Sequence, residues 1–193
     1  DLYISCLSSD GKMLFLSRDD NYNSDLYFST FDGVKWTKVV KLNKNINTKG
    51  WESHAFISEE GNYLVFASDR PGGFGGLDIY ISKKENGEWG PATNLGPEIN
   101  TPFNEDRPFL INNGKTLSFA SQGHNNIGGY DIFRSEMQQN GLWSNPQNMG
   151  YPFNNPDDNI FFMPSGNGKS GYISIYKETN GFGKEDIFKV TFK

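Results

Sequence analysis

Positive charge, cysteine and long apolar runs are all scarce in this chain of 193 residues. Lys and Arg number 18 against 23 Asp and Glu, a formal net charge of −5. There is no Lys/Arg-rich run, whereas a nucleic-acid binder ordinarily shows a basic excess or stripe, so no nucleic acid is expected as a partner. No apolar stretch approaches the ~20 residues of a membrane helix, so no transmembrane segment is expected. Cys6 is the single cysteine, which excludes an internal disulfide. No Lys, Arg or His adjoins it to favour a thiolate, so it reads as a small buried apolar side chain. The two histidines, His54 and His124, are solitary and make no metal-ligand spacing, so no metal is assigned. No Gly-x-Ser-x-Gly elbow marks a serine hydrolase. No secretory leader is visible, and the chain opens on Asp1 rather than Met, as expected of a mature or excised piece.

What the chain does have is turn formers and rings. Gly and Asn each number 22 and Pro 9, more than a quarter of the residues. Without a period such a composition would suggest disorder. But 16 Phe, 9 Tyr and 4 Trp are ample core material, and disordered chains are poor in aromatics. Many short elements joined by many turns are expected.

The period is present. A strand ending in serine recurs at Ser17, Ser68, Ser121 and Ser174, spaced 51, 53 and 53. An Asp opening the next strand recurs at Asp25, Asp78, Asp131 and Asp186, spaced 53, 53 and 55. A Trp recurs at Trp36, Trp89 and Trp143, spaced 53 and 54. Each unit reads as four strands. A short apolar strand (Ala55–Ile57, Pro108–Ile111, Ile160–Phe162) leads through a Gly turn to the serine-ended strand. A long loop leads to the Asp-headed strand. An Asp-Gly or Asn-Gly hairpin at Asp32, Asn86 or Asn140 then leads to an outer strand opening on the Trp.

Four antiparallel strands in about 53 residues, repeated, describe a β-propeller blade. The expected fold is all-β, with blades near 1–51, 52–104, 105–157 and 158–193, the last without its outer strand. Division of 193 by 53 gives about 3.6 blades, which suggests part of a larger propeller of about six. A compact four-bladed ring is the alternative.

The recurrent Asp follows the longest loop of each unit, where a carboxylate can accept backbone N–H bonds from the glycine turns. Its presence in every unit favours that structural role over catalysis. Trp36, Trp89 and Trp143 are expected to pack blade on blade. Asp32-Gly33 with Trp36 approaches the Asp-box turn of sialidases but lacks the residue between Asp and Gly. The pairs Asn86-Gly87 and Asn140-Gly141 fail likewise. The Gly pairs lack the strand–loop–helix context and the Lys-Ser/Thr of a phosphate loop, so no cofactor is assigned.

The unit Ser68-Asp69-Arg70-Pro71-Gly72-Gly73-x-Gly75-Gly76-x-Asp78-Ile79-Tyr80 resembles the TolB-type, WD-like propeller repeat. Trp89-Gly90-Pro91-Ala92-x-Asn94-Leu95-Gly96 and Ile99-Asn100-Thr101-Pro102-x-Asn104-Glu105 extend the likeness. The combination is similar to repeats in envelope proteins of Bacteroidota-type bacteria, some linked to type IX secretion. There the propeller often sits beside an OmpA-like peptidoglycan-binding domain. The resemblance implies a periplasmic or outer-membrane-associated location. It also implies envelope proteins or a peptidoglycan-associated assembly as partners. The first unit lacks the Gly pairs, the third replaces Arg-Pro-Gly by Gln122-Gly123-His124, and the fourth has Asn180-Gly181-Phe182-Gly183.

In an antiparallel blade, the second-to-third-strand loop and the blade-to-blade connector leave from one end. Partner contacts are therefore expected there, around the channel mouth, at Arg70, Phe74, Asn104, Glu105, Arg107, His124, Asn125, Asn126 and Phe182. The expected function is a non-catalytic protein-binding or scaffolding propeller, with a peptide or glycan ligand possible at the mouth. The alternatives are a glycan- or peptidoglycan-binding propeller and the propeller domain of a peptidase or glycosidase.

Overall fold

The structure, a computed structural model, describes residues 1–19, 22–165, 170–176 and 185–191. Blade 1 comprises β1 (Leu2–Leu7), β2 (Met13–Asp19), β3 (Ser24–Thr30) and β4 (Val40–Lys41). Blade 2 comprises β5 (Glu52–Ile57), β6 (Tyr63–Ser68) and β7 (Asp78–Glu85), with an outer edge split into β8 (Glu88–Trp89) and β9 (Thr93–Asn94). Blade 3 comprises β10 (Glu105–Ile111), β11 (Thr116–Ser121), β12 (Asp131–Glu136) and β13 (Gln147–Asn148). Blade 4 comprises β14 (Phe162–Pro164), β15 (Ser170–Tyr176) and β16 (Glu185–Thr191). Strands pair antiparallel in chain order within each sheet, and the four sheets are arranged as the blades of a β-propeller.

Local chemistry sets these elements. Asn86 and Gly87 both take positive φ, 52° and 86°, which a type I′ turn requires and which suits the twist of the strands it joins. The outer strand opens on the Trp and is then interrupted: Trp89 pairs in β8 with Lys84, and Trp36 and Trp143 form single bridges to Phe31 and Met137. In each of the first three blades pairing resumes four positions after the Trp, at Val40, Thr93 and Gln147. The gap is held by a strand hydroxyl: Ser29, Ser82 and Ser135 donate to the carbonyls of Thr37, Gly90 and Ser144 at 2.6–2.7 Å. The first strand of blade 4 starts later than expected, at Phe162. The Asn159 N–H donates to Tyr130 O of blade 3, which keeps the chain on blade 3 up to that point.

Pairing corrects the serine marker. Asp78 and Asp131 stand opposite Ser68 and Ser121. Asp25 stands opposite Arg18, and Asp186 opposite Ile175. The equivalents of the strand-ending serines are therefore Arg18 and Ile175, one residue beyond Ser17 and Ser174. Apolar alternation fixes this register. A one-residue slip would move every inward side chain to the other face of the sheet.

The core lies between blades. Phe15 and Leu26 of blade 1 pack with Ile57, Leu64, Phe66 and Trp89 of blade 2. Val65, Ile79 and Ile99 pack with Leu117, Phe119, Phe133 and Trp143 of blade 3. Ala120, Ile132 and Phe153 pack with Phe162 and Ile173 of blade 4. Blades 2 and 3 thus each show one face to the preceding blade and one to the following blade. Trp89 and Trp143 are buried, at 5% and 7% exposure, but Trp36 is 41% exposed, because no other blade of the four packs on that flank. It leans on Phe31 instead, with ring centroids 5.5 Å apart. At the other flank Ile187 is 74% exposed, whereas Ile132, its equivalent opposite the preceding strand, is 2% exposed. Replacing Ile187 by serine is accordingly expected to shift unfolding stability by less than about 0.5 kcal/mol, as at an ordinary surface position. A urea midpoint well below the parent's would mean that this flank is packed.

Candidate functional site

The long loops and connectors share one end of the blades, and most are braced from within. Asp78 accepts the N–H groups of Phe74 (2.6 Å) and Gly75 (3.1 Å) and the Asn94 amide (2.8 Å). Asp131 repeats this with Ile127, Gly128 and Asn148. The glycine-loop N–H groups therefore already have carboxylate partners and form no phosphate cradle. Asp25 instead pairs with Lys41 at 2.6 Å. The loop preceding Asp186 lies outside the described residues, as does Phe182. Gly128 is required by close approach. A Cβ there would meet the carbonyl oxygens of Asn155, Pro156 and Asp157.

A second brace was not singled out from the sequence. Asn47, Asn100 and Asn154 each accept the N–H, at 2.7–2.8 Å, of the residue after the recurrent Asp. Each also returns its amide to that residue's carbonyl, at 2.9–3.0 Å. Their 53- and 54-residue spacing was the available signal.

Several of the expected contact residues have internal partners. Glu105 is fully buried. Its carboxylate accepts the Thr101 N–H and the Thr101 and Ser121 hydroxyls, each at 2.7 Å. It holds the connector. Arg70 lies over both the Phe66 and Tyr80 rings, 5.0 and 4.7 Å from their centroids, and donates to Ile46 O at 2.5 Å. His124 occupies the equivalent place one blade on, against Phe119 and Phe133, with Nε2 2.9 Å from Ile99 O. Asn104 accepts Leu77 N–H and donates to Gln122. The Asn126 amide donates to Ser121 O and Gly129 O. Asn125 contributes its carbonyl to Asn148, and its side chain is exposed.

Burial pushes the Glu105 carboxyl pKa up, and the bonds from Thr101 and Ser121 only partly oppose it. The folded state then holds this proton more tightly than the unfolded chain does. The associated stability is present below the ordinary value of 4.5 and is lost as pH rises through the raised one. Glu105→Gln, which can keep the bonds by hydroxyl reorientation, is expected to remove that slope. Urea midpoints measured from acid to neutral pH check it, and an unchanged slope in the variant would count against it.

Two features face outward. The first is apolar: Phe74, Phe103 and Ile127 are all exposed on the loop face. Phe103 and Ile127 were missed, although Ile127 lies one 53-residue period after Phe74. The second is the upper channel. The innermost strands β5 and β10 carry bulges after Ser53 and after Asp106. There His54 and Arg107 take positive φ, 46° and 48°. That conformation costs a non-glycine residue about 1–2 kcal/mol, and here it sets both side chains at the channel. His54 Nδ1 lies 2.8 Å from Asp106 Oδ1, and the Arg107 N–H donates to the same oxygen at 2.8 Å. Burial, then the Asp106 charge, pushes the nearby Tyr130 hydroxyl up to about 12.

The Arg107 guanidinium makes no ion pair among the described residues, and its Nε is buried without a hydrogen-bond partner. It lines a cavity of about 220 Å³ with Asp158, Ile160, Phe161, Ser174 and Glu185. The lower channel is a mostly apolar cavity of about 160 Å³ lined by Leu7, Phe56, Ile57, Leu110, Ile111 and Pro164, with Ser9 and Glu59 as its polar members. Ser5 shares a cavity of about 60 Å³ with His54, but its Oγ has no hydrogen-bond partner, so a Ser–His–Asp relay is not assembled. Among the described residues no three His, Cys, Asp or Glu side chains are placed to hold a metal, and no helix is long and apolar enough to cross a membrane. Burial raises the Cys6 thiol to about 12.

No protein-family model matches the sequence, and no curated protein is significantly similar to it. Solved structures do match. TolB from Acinetobacter baumannii superposes with a TM-score of 0.60 at 17% identity, over 96% of this chain and 39% of that one. A candidate TolB from Agrobacterium tumefaciens gives 0.60 at 18%, over 96% and 64%. An alpha-L-arabinofuranosidase from Lactobacillus brevis gives 0.57 at 14%, over 95% and 70%. The chain thus spans less than two thirds of either TolB structure, and at these identities the likeness concerns the fold alone. That fold is a β-propeller similar to TolB.

Proposed function

We propose that this propeller is a non-catalytic protein-binding module of the bacterial cell envelope, periplasmic or outer-membrane associated, that engages its partner with the loop face. The observation that carries the reading is the trio Phe74, Phe103 and Ile127, exposed on the otherwise polar loops and connector of that face. Exposed apolar side chains rimmed by polar groups mark protein-binding surfaces. The resemblance to OmpA-associated and type IX secretion-linked repeats suggests a peptidoglycan-anchored assembly as the setting. The bare flanks at Trp36 and Ile187 support a larger ring in which further blades cover them.

Replacing Phe74, Phe103 and Ile127 together by serine is expected to lower recovery of envelope partners at least about tenfold, as loss of interface anchors does, with thermal stability preserved. The control replaces Val34 and Leu142, exposed on hairpins at the opposite end, and should leave recovery intact. Equal loss in both variants would contradict the assignment of the face.

A further inference from the structure

The cavity between blades 3 and 4 holds one cation and two anions. Arg107 enters it from the β10 bulge, Asp158 from the connector and Glu185 from the head of β16. None of the three forms an ion pair among the described residues. Asp158 Oδ1 accepts the Tyr130 N–H at 2.8 Å. Glu185 Oε2 accepts the Ser174 hydroxyl at 2.8 Å. Each carboxylate keeps its second oxygen for another donor. Asp106 is already engaged by His54 and by the Arg107 N–H.

Charge decides what fits. A plain carboxylate would pair with Arg107 but meet two like charges. A plain ammonium would pair with the acids but leave the guanidinium, with its buried orphan Nε, unsatisfied. A group carrying both charges satisfies all three. We propose that this cavity binds the zwitterionic head of an amino acid or short peptide. Its carboxylate lies on Arg107 and its ammonium on Asp158 and Glu185. The inference deepens the reading of the loop face as a binding face by naming the chemistry of one group bound there.

Four probes test it by amide chemical-shift titration of the full chain: L-alanine, L-alanyl-L-alanine, N-acetyl-L-alanine and L-alaninamide. Saturable shifts at Arg107, Asp158 and Glu185 are expected with at least one of the first two. Whichever of these is tighter distinguishes a free amino acid from a peptide. Both singly charged probes should bind at least about tenfold more weakly, the loss of one charge-assisted pair. Glu185→Gln, at an exposed position, should weaken the zwitterion and leave N-acetyl-L-alanine no weaker. Equal binding of all four probes, or no shift at about 20 mM zwitterion, overturns the proposal. If the zwitterion fails while the Phe74, Phe103 and Ile127 variant still loses its partner, only this inference falls. If the zwitterion binds while partner recovery ignores that variant, the protein-binding reading falls instead.

Discussion

Arg70→Ala is expected to destabilise the fold by about 3–5 kcal/mol, the cost of stranding a buried charge. Glu52 is fully buried, and its Oε1 lies 3.4 Å from the Arg70 guanidinium. The same oxygen accepts the Thr48 and Ser68 hydroxyls, at 2.6 and 2.8 Å. Arg70 also donates through Nε to Ser68 and through its terminal nitrogens to Asn45 O and Ile46 O. It therefore ties the connector, β6 and the head of β5 together while lying over the neighbouring Phe66 and Tyr80 rings. Burial lowers its pKa, and the Glu52 charge pushes it back up. Arg70→Lys should recover only part of the loss, because an ammonium has neither the planar fork nor the stacking face. Urea unfolding measures both. A variant with the parent's midpoint would return Arg70 to the set of partner-contact residues.

Trp89→Ala is expected to cost about 3–5 kcal/mol, and Trp36→Ala less than about 1 kcal/mol. Trp89 closes the junction of blades 1 and 2. Its ring meets the edge of Phe15 at 6.4 Å, and Lys84 lies over it at 5.5 Å. Truncation opens a large void beside Phe15, Leu26 and Leu64, side chains fixed on strands that cannot collapse into it. The Asn43 and Asn45 amides bond Trp89 through its carbonyl, so that tie survives the change. Two tryptophans of the same repeat phase thus differ severalfold in cost, because one has a blade to pack on. Comparable losses at both positions would contradict the junction assignment.

The fold was legible because a propeller repeats its errors and its rules alike. A hairpin Gly, a strand-heading Asp and an outer-edge Trp return every 53 or so residues, and each has a local physical reason to do so. The serine marker slipped by one in blades 1 and 4 because the pattern Leu-Ser or Ile-Ser looks the same in either register. Only cross-strand pairing with Asp25 and Asp186 decides. The site was less legible. A long loop advertises exposure, yet Arg70, Glu105 and His124 turn inward, because the connector carbonyls and hydroxyls of the same blade junction are their nearest partners. Conversely His54 and Asp106 precede the apolar runs Ala55–Ile57 and Pro108–Ile111, yet the strands reach back to Glu52 and Glu105 and include them. A bulge, which shows no local sequence mark here, swings His54 and Arg107 to the channel.

The central claim is that partners meet the loop face rather than the hairpin face. The most direct measurement places a photocrosslinking amino acid at Phe103 in one variant and at Val34 in another, in cells carrying the whole protein. Crosslinked partner at position 103 and none at position 34 is the predicted result. Crosslinking through position 34 with none through position 103 would contradict it.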